Sequence, residues 1–523
     1  MSPQRIVIIG GGAAGWLTAN HLAKAHQDNS NDTSLTITLI ESPNIPTIGV
    51  GEGTVPSIRD SLHYFGISET ELIQRCSATF KQSIRFINWQ NAESSHAQHE
   101  YHHVFDYPNV RSMAAIQDWV IQGYTAHSFE DTFSTQSHII DKGLAPKKFV
   151  QAEFEGVCNY AYHFDAAQFA RLLAENATLK LGVKHRHLEI ESIEKNADGD
   201  IEYLLTSANE RIEAELFIDC TGARSLLLGQ CLATPFVSKS AELFTDTALA
   251  VQVPLDDSAE AIPGSTLATA HEAGWIWDIG LTERRGVGVV YASSYMTDEQ
   301  AEGALRDYLG EKSFNALPAA PRKIPMKSGY YQQFWRHNCV AIGMSQGFVE
   351  PLEATGLLMF DKSAQLLAQT LSDNQWQLRA STKPGSEVST HFNQQLKAVW
   401  EGVFDFIKLH YCLSRRTDSE FWLKHQDTST WSPRLVKLIE TWQHRLPEQQ
   451  DLPPGVFNLA NYLYVLFGMD FRPQLNAQAS SNAEDSSAAH HAIMLETADQ
   501  LQTQLLAHRE LLKKVSQYGL QRI

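Results

Sequence analysis

The chain begins with an apolar run that stops at a cluster of glycines. Residues 5–9 predict a buried strand, residues 10–15 a glycine-rich turn and residues 16–25 a helix. Residues 35–40 predict a second strand, which ends at Glu41. Together they form a strand–turn–helix–strand–acid unit of the length expected for a dinucleotide-binding βαβ motif.

The rest of the chain changes its hydrophobic period several times. Residues 164–174 carry one apolar face and predict a helix, and residues 91–140 are polar and predict loops. Alternation over 183–219, broken at 198–200, predicts a hairpin-rich sheet. Further strands are predicted at 216–219, 287–291 and 339–342. From about residue 364 the pattern is mainly helical, with a loop at 476–491 and one last helix over 493–515.

The amino-acid composition argues against several classes of function. The 523 residues include 42 basic and 60 acidic side chains, so the net charge is 42 − 60 = −18. That charge repels phosphate backbones and argues against nucleic-acid binding. Six scattered cysteines with no CxxC pair exclude a compact zinc module. No apolar stretch is long enough to span a membrane, and a cytoplasmic location is expected.

The glycine turn predicts the nucleotide site. Gly10 permits the tight turn, Gly12 lets the backbone approach a pyrophosphate, and Gly15 lets helix and strand pack closely. Ala13 and Ala14 begin the helix whose N-terminus faces the phosphates. Glu41 is expected to accept hydrogen bonds from the adenosine ribose. The alternative is a glycine-rich turn in an unrelated α/β protein.

A second glycine-rich stretch favours FAD over NAD. Residues 47–56 include Gly49, Val50 and Gly51, a backbone that can lie flat against a planar ring without Cβ clashes. Further glycine turns follow the strands that end at Asp219 and Ile342. Several distant glycine turns on one fold suit the extended FAD molecule.

Longer motifs resemble those of the flavin-dependent halogenases, particularly the tryptophan halogenases. The resemblance covers most of residues 1–425, and its matching stretches are GGGAAGW at 10–16, VGEGTVP at 50–56, FKQSIRFINW at 80–89, YAYHFDAAQFA at 160–170, LFIDCTGARSLL at 216–227, GWIWDIGL at 274–281 and NCVAIGMSQGFVEPLEATGL at 338–357. It implies an α/β fold of the flavin monooxygenase type, with an FAD-binding Rossmann-type core, an additional antiparallel sheet and a mainly helical C-terminal substrate module. Residues 1–425 would form the core, with substrate-facing segments at about 91–150 and 235–330, and residues 426–523 the C-terminal module.

The resemblance also implies a chemistry. Reduced FAD and O₂ give a flavin hydroperoxide, which chloride or bromide attacks to form hypohalous acid. A lysine then delivers the halogen to an electron-rich aromatic ring, by family default tryptophan or another indole. A separate flavin reductase would supply reduced FAD, and a homodimer is possible.

Two residues match the catalytic pair of that family. Lys81 matches the lysine; burial lowers a lysine pKa and makes a neutral amine accessible, whereas an ordinary lysine snorkels to the surface. Glu353 matches the carboxylate that stabilises the cationic ring and takes its proton. Glu350, followed directly by Pro351, is interpreted as structural. Ala354 stands where the family has a serine.

Other positions are assigned by the same resemblance. Thr355 and Gly356 match the halide site at a helix start, although a threonine there is also an ordinary helix cap. Met344 and Leu357 match positions that touch flavin. Four residues are assigned to the substrate side. These are His103 and Phe105, which sandwich the ring in relatives, and Trp275 and Trp277, which obstruct access to the flavin and are also large core aromatics.

Three points complete the predictions from sequence. The histidines at 96, 99, 102 and 103 form no recognisable ligand pattern, so no metal is predicted. The C-terminal part offers no pair of groups for the charged ends of an amino acid, which favours an uncharged indole over free tryptophan. The competing interpretations are a flavin-dependent aromatic hydroxylase and a non-catalytic flavoprotein.

Overall fold

The computed structural model of the chain describes residues 4–29, 35–44, 51–91, 99–110, 113–123, 127–255, 261–383, 385–475 and 486–522. The strands in these ranges are β1 (Gln4–Ile9), β2 (Leu35–Glu41), β3 (Gly51–Gly53), β4 (Thr79–Lys81), β5 (Ser83–Ile87), β6 (Glu100–Val104), β7 (Ala161–Asp165), β8 (Lys184–His187), β9 (Ile190–Lys195), β10 (Ile201–Thr206), β11 (Arg211–Ile212), β12 (Leu216–Asp219), β13 (Phe236–Ser238), β14 (Thr247–Pro254), β15 (Ser265–His271), β16 (Gly274–Gly280), β17 (Arg284–Tyr291), β18 (Arg322–Pro325), β19 (Gly329–Tyr331), β20 (Trp335–Arg336), β21 (Cys339–Ala341) and β22 (Gly347–Phe348).

The helices of the same ranges are α1 (Ala13–Asn29), α2 (Ile58–Phe65), α3 (Glu69–Arg75), α4 (Met113–Asp118), α5 (Phe129–Phe133), α6 (Gln136–Asp141), α7 (Ala166–Glu175), α8 (Asp298–Leu309), α9 (Glu311–Asn315), α10 (Thr355–Asp373), α11 (Leu378–Ser381), α12 (Glu387–Cys412), α13 (Glu420–Gln426), α14 (Pro433–Trp442), α15 (Leu459–Gly468), α16 (Ser487–Gln502) and α17 (His508–Tyr518).

The predicted nucleotide-binding sheet is present. Its strand order is β20-β21-β12-β1-β2-β8, and the pairs are parallel except β20 with β21. Ile9 at the end of β1 lies beside Ile40 and Asp219, so the strand ends of β1, β2 and β12 meet at one edge. The glycine turn, Glu41 and the start of α1 are therefore brought together there.

A second sheet carries the substrate-side residues. Its order is β18-β14-β17-β16-β15-β5-β6, and its pairs are antiparallel except β15 with β5. Within the described residues, this large, mostly antiparallel sheet, the parallel sheet and the helical C-terminal region confirm the predicted fold class.

A small third sheet places the matched lysine. Strands β3, β7 and β4 pair so that Gly51 lies opposite Asp165 and Lys81 opposite Ala161. The prediction of a helix over 164–174 is wrong at its start. Phe164 pairs with Glu52 in this sheet, and α7 begins only at Ala166. Asp165 sets that boundary, because its carboxylate caps the helix through the backbone N–H groups of its first turn.

Other boundaries also differ from the sequence predictions. The segment 91–140 contains β6, α4, α5 and α6 rather than loops alone. Strand β8 joins the parallel sheet beside β2, so only β9–β11 form the predicted hairpins. The nucleotide-site helix is longer than the predicted 16–25, and α10 already begins at Thr355.

The last predicted helix is two helices. Helix α16 ends at Gln502 and α17 begins at His508, because the intervening chain turns to bridge Leu144 through Ala507. The predicted loop at 476–491 extends too far, since α16 begins at Ser487; residues 476–485 lie outside the described ranges. Of the helices that the structure describes, none is long and apolar enough to cross a membrane.

Candidate active site

The glycine turn has the close approaches that its sequence predicts. Gly10 has φ +121°, and a Cβ there would lie 2.1 Å from the carbonyl oxygen of Cys220. A Cβ on Gly15 would lie 1.9 Å from the carbonyl oxygen of Gly10. A Cβ on Gly12 would meet nothing within 4 Å. The turn therefore leaves open space at Gly12, in front of the helix that Ala13 and Ala14 begin, as a bound pyrophosphate requires.

Glu41 lies at the end of β2, half-buried beside two histidines that the sequence did not single out. Its Oε1 lies 2.8 Å from Nε2 of His185 and 3.5 Å from Nδ1 of His187. Within the described residues these three side chains are the group whose spacing could hold a metal ion. The contacts are those of an acid at the end of β2 that can accept hydrogen bonds from both histidines.

The loop before α10 meets the glycine turn. Gly343 has φ +82°, and a Cβ there would lie 2.5 Å from Cβ of Ala14. Met344, half-buried, follows in this turn, and Leu357 is buried in the first turn of α10. The residues matched to flavin contacts thus lie on chain segments that touch the predicted pyrophosphate site. Gly51 is buried in β3, whereas Gly49 and Val50 lie outside the described residues.

The start of α10 is shaped by a left-handed residue. Ala354 has φ +54° and precedes Thr355, whose hydroxyl donates to the carbonyl oxygen of Glu350 at 3.1 Å. A Cβ on Gly356 would meet nothing within 4 Å. The first N–H groups of a helix have no intrahelical acceptor. An anion such as a halide could therefore be held by these amides, but the Thr355 hydroxyl is already engaged.

Lys81 is buried without a salt bridge. Its Nζ has no hydrogen-bond partner among the described residues, and its side chain is fully buried. A Cβ on Gly53 would lie 3.4 Å from Nζ and 3.4 Å from Oγ1 of Thr266, which hydrogen-bonds His163. Burial lowers the pKa of Lys81 to about 7, against the attraction of Glu353. At neutral pH the amine is therefore available in both protonation states.

Glu353 lies between two histidines. Nδ1 of His103 is 2.9 Å from its Oε1 and 3.0 Å from its Oε2, and Nε2 of His410 is 2.8 Å from its Oε1. Burial acts to raise the pKa of the Glu353 carboxyl, but its contacts with His103 and His410 outweigh burial and hold this pKa below its ordinary value.

A cavity of about 290 Å³ opens onto this carboxylate. His103, Phe105, Glu353, Phe457 and Asn461 are among its lining residues. Nζ of Lys81 lies 5.4 Å from the centroid of the Phe105 ring, and Phe105 is one of the residues that line this cavity. The structure thus brings together four residues that the sequence predicted for the catalytic and substrate positions.

The tryptophan pair lies outside the cavity lining. Trp275 and Trp277 project from one face of β16, with ring centroids 6.4 Å apart. The indole N–H of Trp275 donates to Oε1 of Glu350 at 3.1 Å, and Tyr411 donates to the same atom at 2.5 Å. Burial raises the pKa of Glu350 against these hydrogen bonds. Glu350 therefore connects the tryptophan strand to the loop before α10, which fits its structural interpretation.

Sequence reasoning did not find His410 and Asn461. Nδ2 of Asn461 lies 3.0 Å from Nε2 of His103, on the side away from Glu353. His410 lies deep in α12, where the helical pattern gives no motif that distinguishes a functional histidine from a core one. His102, next to His103, points to the opposite face and contacts Ser83 and Asp141, so the histidines described near it do not converge.

These features define a class. A parallel sheet with a glycine turn, a second glycine loop against its helix, a buried carboxylate at a separate cavity and a buried lysine against one of that cavity's lining residues describe a nucleotide-binding enzyme of the flavoprotein type.

Comparisons with known proteins agree with this class of enzyme. The tryptophan halogenase family model matches residues 5–485. The chain is 35% identical over 487 residues to tryptophan 6-halogenase SttH of Streptomyces toxytricini, covering 89% of this chain and 88% of that one. It is 33% identical to tryptophan 7-halogenase RebH of Lentzea aerocolonigenes, covering 81% and 79%. The crystal structure of a tryptophan halogenase from Shewanella frigidimarina superposes with a TM-score of 0.92 at 39% identity, covering 100% and 99%.

The chain belongs to the tryptophan halogenase family. The resemblance seen in its motifs is confirmed, and with it the class of enzyme, a flavin-dependent halogenase and hence an oxidoreductase. Such enzymes act on small aromatic substrates.

Proposed function

We propose that this enzyme uses reduced FAD, O₂ and chloride or bromide to halogenate the ring of an indole, with Lys81 delivering the halogen and Glu353 taking the ring proton. The observation that supports this most strongly is the placement of two buried ionisable groups around one small cavity. Glu353 lines the cavity beside His103, and Lys81 contacts the ring of Phe105, which also lines it.

The residues present fit a flavin and a halide. Gly12 leaves space for the pyrophosphate, Glu41 at the end of β2 can accept hydrogen bonds from the ribose, and the turn at Gly343 packs on Ala14. The free amides at the start of α10 suit a halide. When bound, reduced FAD supplies hypohalous acid from O₂ and the halide.

Lys81 is suited to hold that acid because no carboxylate neutralises it. As an ammonium it can donate a hydrogen bond to the hypohalous oxygen, and as an amine it can form a haloamine. A pKa near 7 makes both forms available, and the two routes remain alternatives. The ring of Phe105, over which the Nζ lies, lines the cavity, so the lysine is close to a substrate bound there.

Glu353 is suited to the second half of the reaction. Addition of the halogen places a positive charge on the ring, which a nearby carboxylate stabilises. Loss of the ring C–H proton to Glu353 then restores aromaticity. Its low pKa keeps the carboxyl ionised, and its two histidine partners fix its orientation.

The cavity favours a small, uncharged aromatic substrate. Its volume of about 290 Å³ is at the lower end of small-molecule sites, which span about 300–1,000 Å³. Among its described lining residues, Arg59 is the cation that could hold a carboxylate. Its guanidinium already donates to the Phe154 carbonyl and the Asn159 side chain and stacks 4.4 Å from Tyr160. The lining also includes Asp60 and Asp106, which repel a carboxylate.

Mass spectrometry of the products tests this function. The protein is incubated with FAD, a separate flavin reductase, bromide or chloride, and a panel of indoles. Halogenated indole supports the proposal. A hydroxylated product that is independent of halide would identify the aromatic hydroxylase instead, and oxygen consumption without any product would leave a flavoprotein that does not act on indoles.

A further inference from the structure

The two histidines beside Glu353 are not equivalent, and the hydrogen bonds on their far sides show why. His103 and His410 are both buried, and both place a ring nitrogen within 3.0 Å of a carboxylate oxygen. Each ring has a second nitrogen with a partner of its own. The chemistry of those partners determines where the ring hydrogens lie.

His103 is a neutral ring. Oδ1 of Asn461 accepts the backbone N–H of Asn458 at 2.8 Å, which fixes the orientation of the Asn461 amide. Its Nδ2 therefore faces Nε2 of His103 as a donor at 3.0 Å. Nε2 must carry a lone pair to accept that bond. The ring hydrogen is then on Nδ1, which donates to Glu353.

His410 differs from His103 because the ring nitrogen that does not face Glu353 lies against a hydrogen-bond acceptor. Nδ1 lies 2.9 Å from the carbonyl oxygen of Phe406, which can only accept, so Nδ1 carries a hydrogen. Nε2 lies 2.8 Å from Oε1 of Glu353. A neutral ring would point a lone pair at an ionised carboxylate. This short contact therefore contains a proton, either on His410 or on Glu353.

We propose that His410 carries this proton as a buried imidazolium and thereby keeps Glu353 an ionised base. Oε1 already accepts a hydrogen bond from His103, which favours the carboxylate over the acid. The His410 ring packs 5.0 Å from Phe86 and 5.3 Å from Phe406, and aromatic neighbours stabilise a cation.

The other groups that face the pair are compatible with this assignment. The ionisable ones in the described part of the chain are Lys81, Tyr101 and His103; Trp89, the remaining ring neighbour of His410, does not titrate. Burial holds the pKa of Tyr101 well above its ordinary value, so it stays neutral. Burial lowers the pKa of Lys81 to about 7, so it is at most partly charged at neutral pH.

The last step of the reaction, loss of the ring proton, then has a defined acceptor atom. Oε2 of Glu353, which among the described residues is engaged by His103 alone, takes the ring proton: the C–H bond breaks, its electron pair returns to the ring, and an O–H bond forms. His410 keeps both of its hydrogens. It is a positioning residue, because it acts through Glu353 and not on the substrate. The catalytic meaning of this step depends on the proposed role of Glu353.

Nitrogen NMR of the flavin-free protein tests the protonation state without any activity. Wild type, His410→Gln and Glu353→Gln are labelled with ¹⁵N-histidine. The expected wild-type spectrum contains a signal from the His410 ring with hydrogens on both nitrogens at pH 8. That signal should be missing in His410→Gln, and in Glu353→Gln the ring should become a neutral Nδ1–H form. A neutral His410 in the wild type overturns the proposal. If His410→Gln fails to fold, Glu353→Gln alone decides.

The pH profile separates this role from simple packing. In His410→Gln the amide can still donate to Glu353, but the positive charge is gone, so burial raises the Glu353 pKa. Product formation relative to wild type should then fall at low pH, by up to about tenfold per pH unit below that raised pKa. Lys81 titrates in both proteins, with a pKa of about 7 in the wild type. A ratio that does not change with pH between 5 and 8 contradicts the proposal, whether or not the substrate assignment is right.

Discussion

Nζ of Lys81 lies 5.4 Å from the centroid of the Phe105 ring, and no described side chain or carbonyl accepts a hydrogen bond from it. An unpaired buried lysine is costly for a folded protein, because an ammonium loses its hydration there. Its contact with Phe105, a lining residue of the cavity, is what the proposed halogen carrier requires. The free-energy cost of burying this lysine and its proposed delivery of the halogen can be measured separately.

Replacing Lys81 should stabilise the protein. The pKa of Lys81 is about 7 when folded and near its ordinary 10.5 when unfolded. Between these values the unfolded chain binds more protons, so the stability of wild type rises with pH through this window. At about 1.4 kcal/mol per unit, Lys81→Met should gain up to several kcal/mol below pH 7, and the gain should shrink toward pH 10. Urea unfolding at several pH values measures it.

Lys147→Met is the matched comparison. Lys147 is equally buried, but its Nζ donates to Glu69 at 2.7 Å and to the carbonyl of Ala152. Removing it leaves the Glu69 carboxylate without its cation, so this variant should lose stability. If Lys81→Met were destabilised to the same extent, the lysine would be paired in solution and the site described incorrectly.

Glu353→Gln should lower product formation by roughly 10²-fold or more, the usual scale for a lost base or electrostatic group. Shape is retained, while the charge that stabilises the halogenated ring is removed. Stopped-flow kinetics should show flavin oxidation at the wild-type rate. Glu350→Gln is the comparison: Thr245, Trp275 and Tyr411 all donate to Glu350, so an amide there should lower the melting temperature instead. Collapse of flavin oxidation in Glu353→Gln would move that residue to the cofactor site.

Indole should be a better substrate than free tryptophan, judged by kcat/KM with saturating reduced FAD and bromide. A carboxylate buried without a partner costs on the order of 1–3 kcal/mol or more. Arg59 donates to Phe154 and Asn159, while its Nε has no partner among the described residues, and the acids Asp60 and Asp106 line the cavity. A clear preference for tryptophan would show that its charged ends are held by groups other than these.

The sequence predicted the parts of the fold that local chemistry determines. The glycine turn and Glu41 could be placed because a βαβ unit has a characteristic length and its close approaches need glycine. The helix predicted from residue 164 was wrong because Phe164 is apolar in either structure, and its pairing with Glu52 depends on distant chain. The break between α16 and α17 was missed for the same reason, since Leu144 fixes it.

The residues of the candidate site also fall into two groups, those that local sequence motifs identify and those whose roles depend on distant contacts. Lys81 and Glu353 could be assigned because they stand in motifs that resemble a known family. His410 and Asn461 could not, because their roles follow from hydrogen bonds across 57 and 358 residues of sequence, to Glu353 and His103. A helix with a buried histidine looks the same in sequence whether that histidine is a core residue or the partner of a catalytic acid.

The most direct measurement of the central claim compares wild type with Lys81→Met for bromination of indole, with hypobromous acid trapped in parallel. The account predicts bromoindole from wild type, none above background from Lys81→Met, and equal flavin oxidation and trapped hypobromous acid from both once substrate is omitted. Lys81→Arg should also fail, because a guanidinium stays protonated. Bromoindole formed by Lys81→Met at the wild-type rate would contradict the claim that this lysine delivers the halogen.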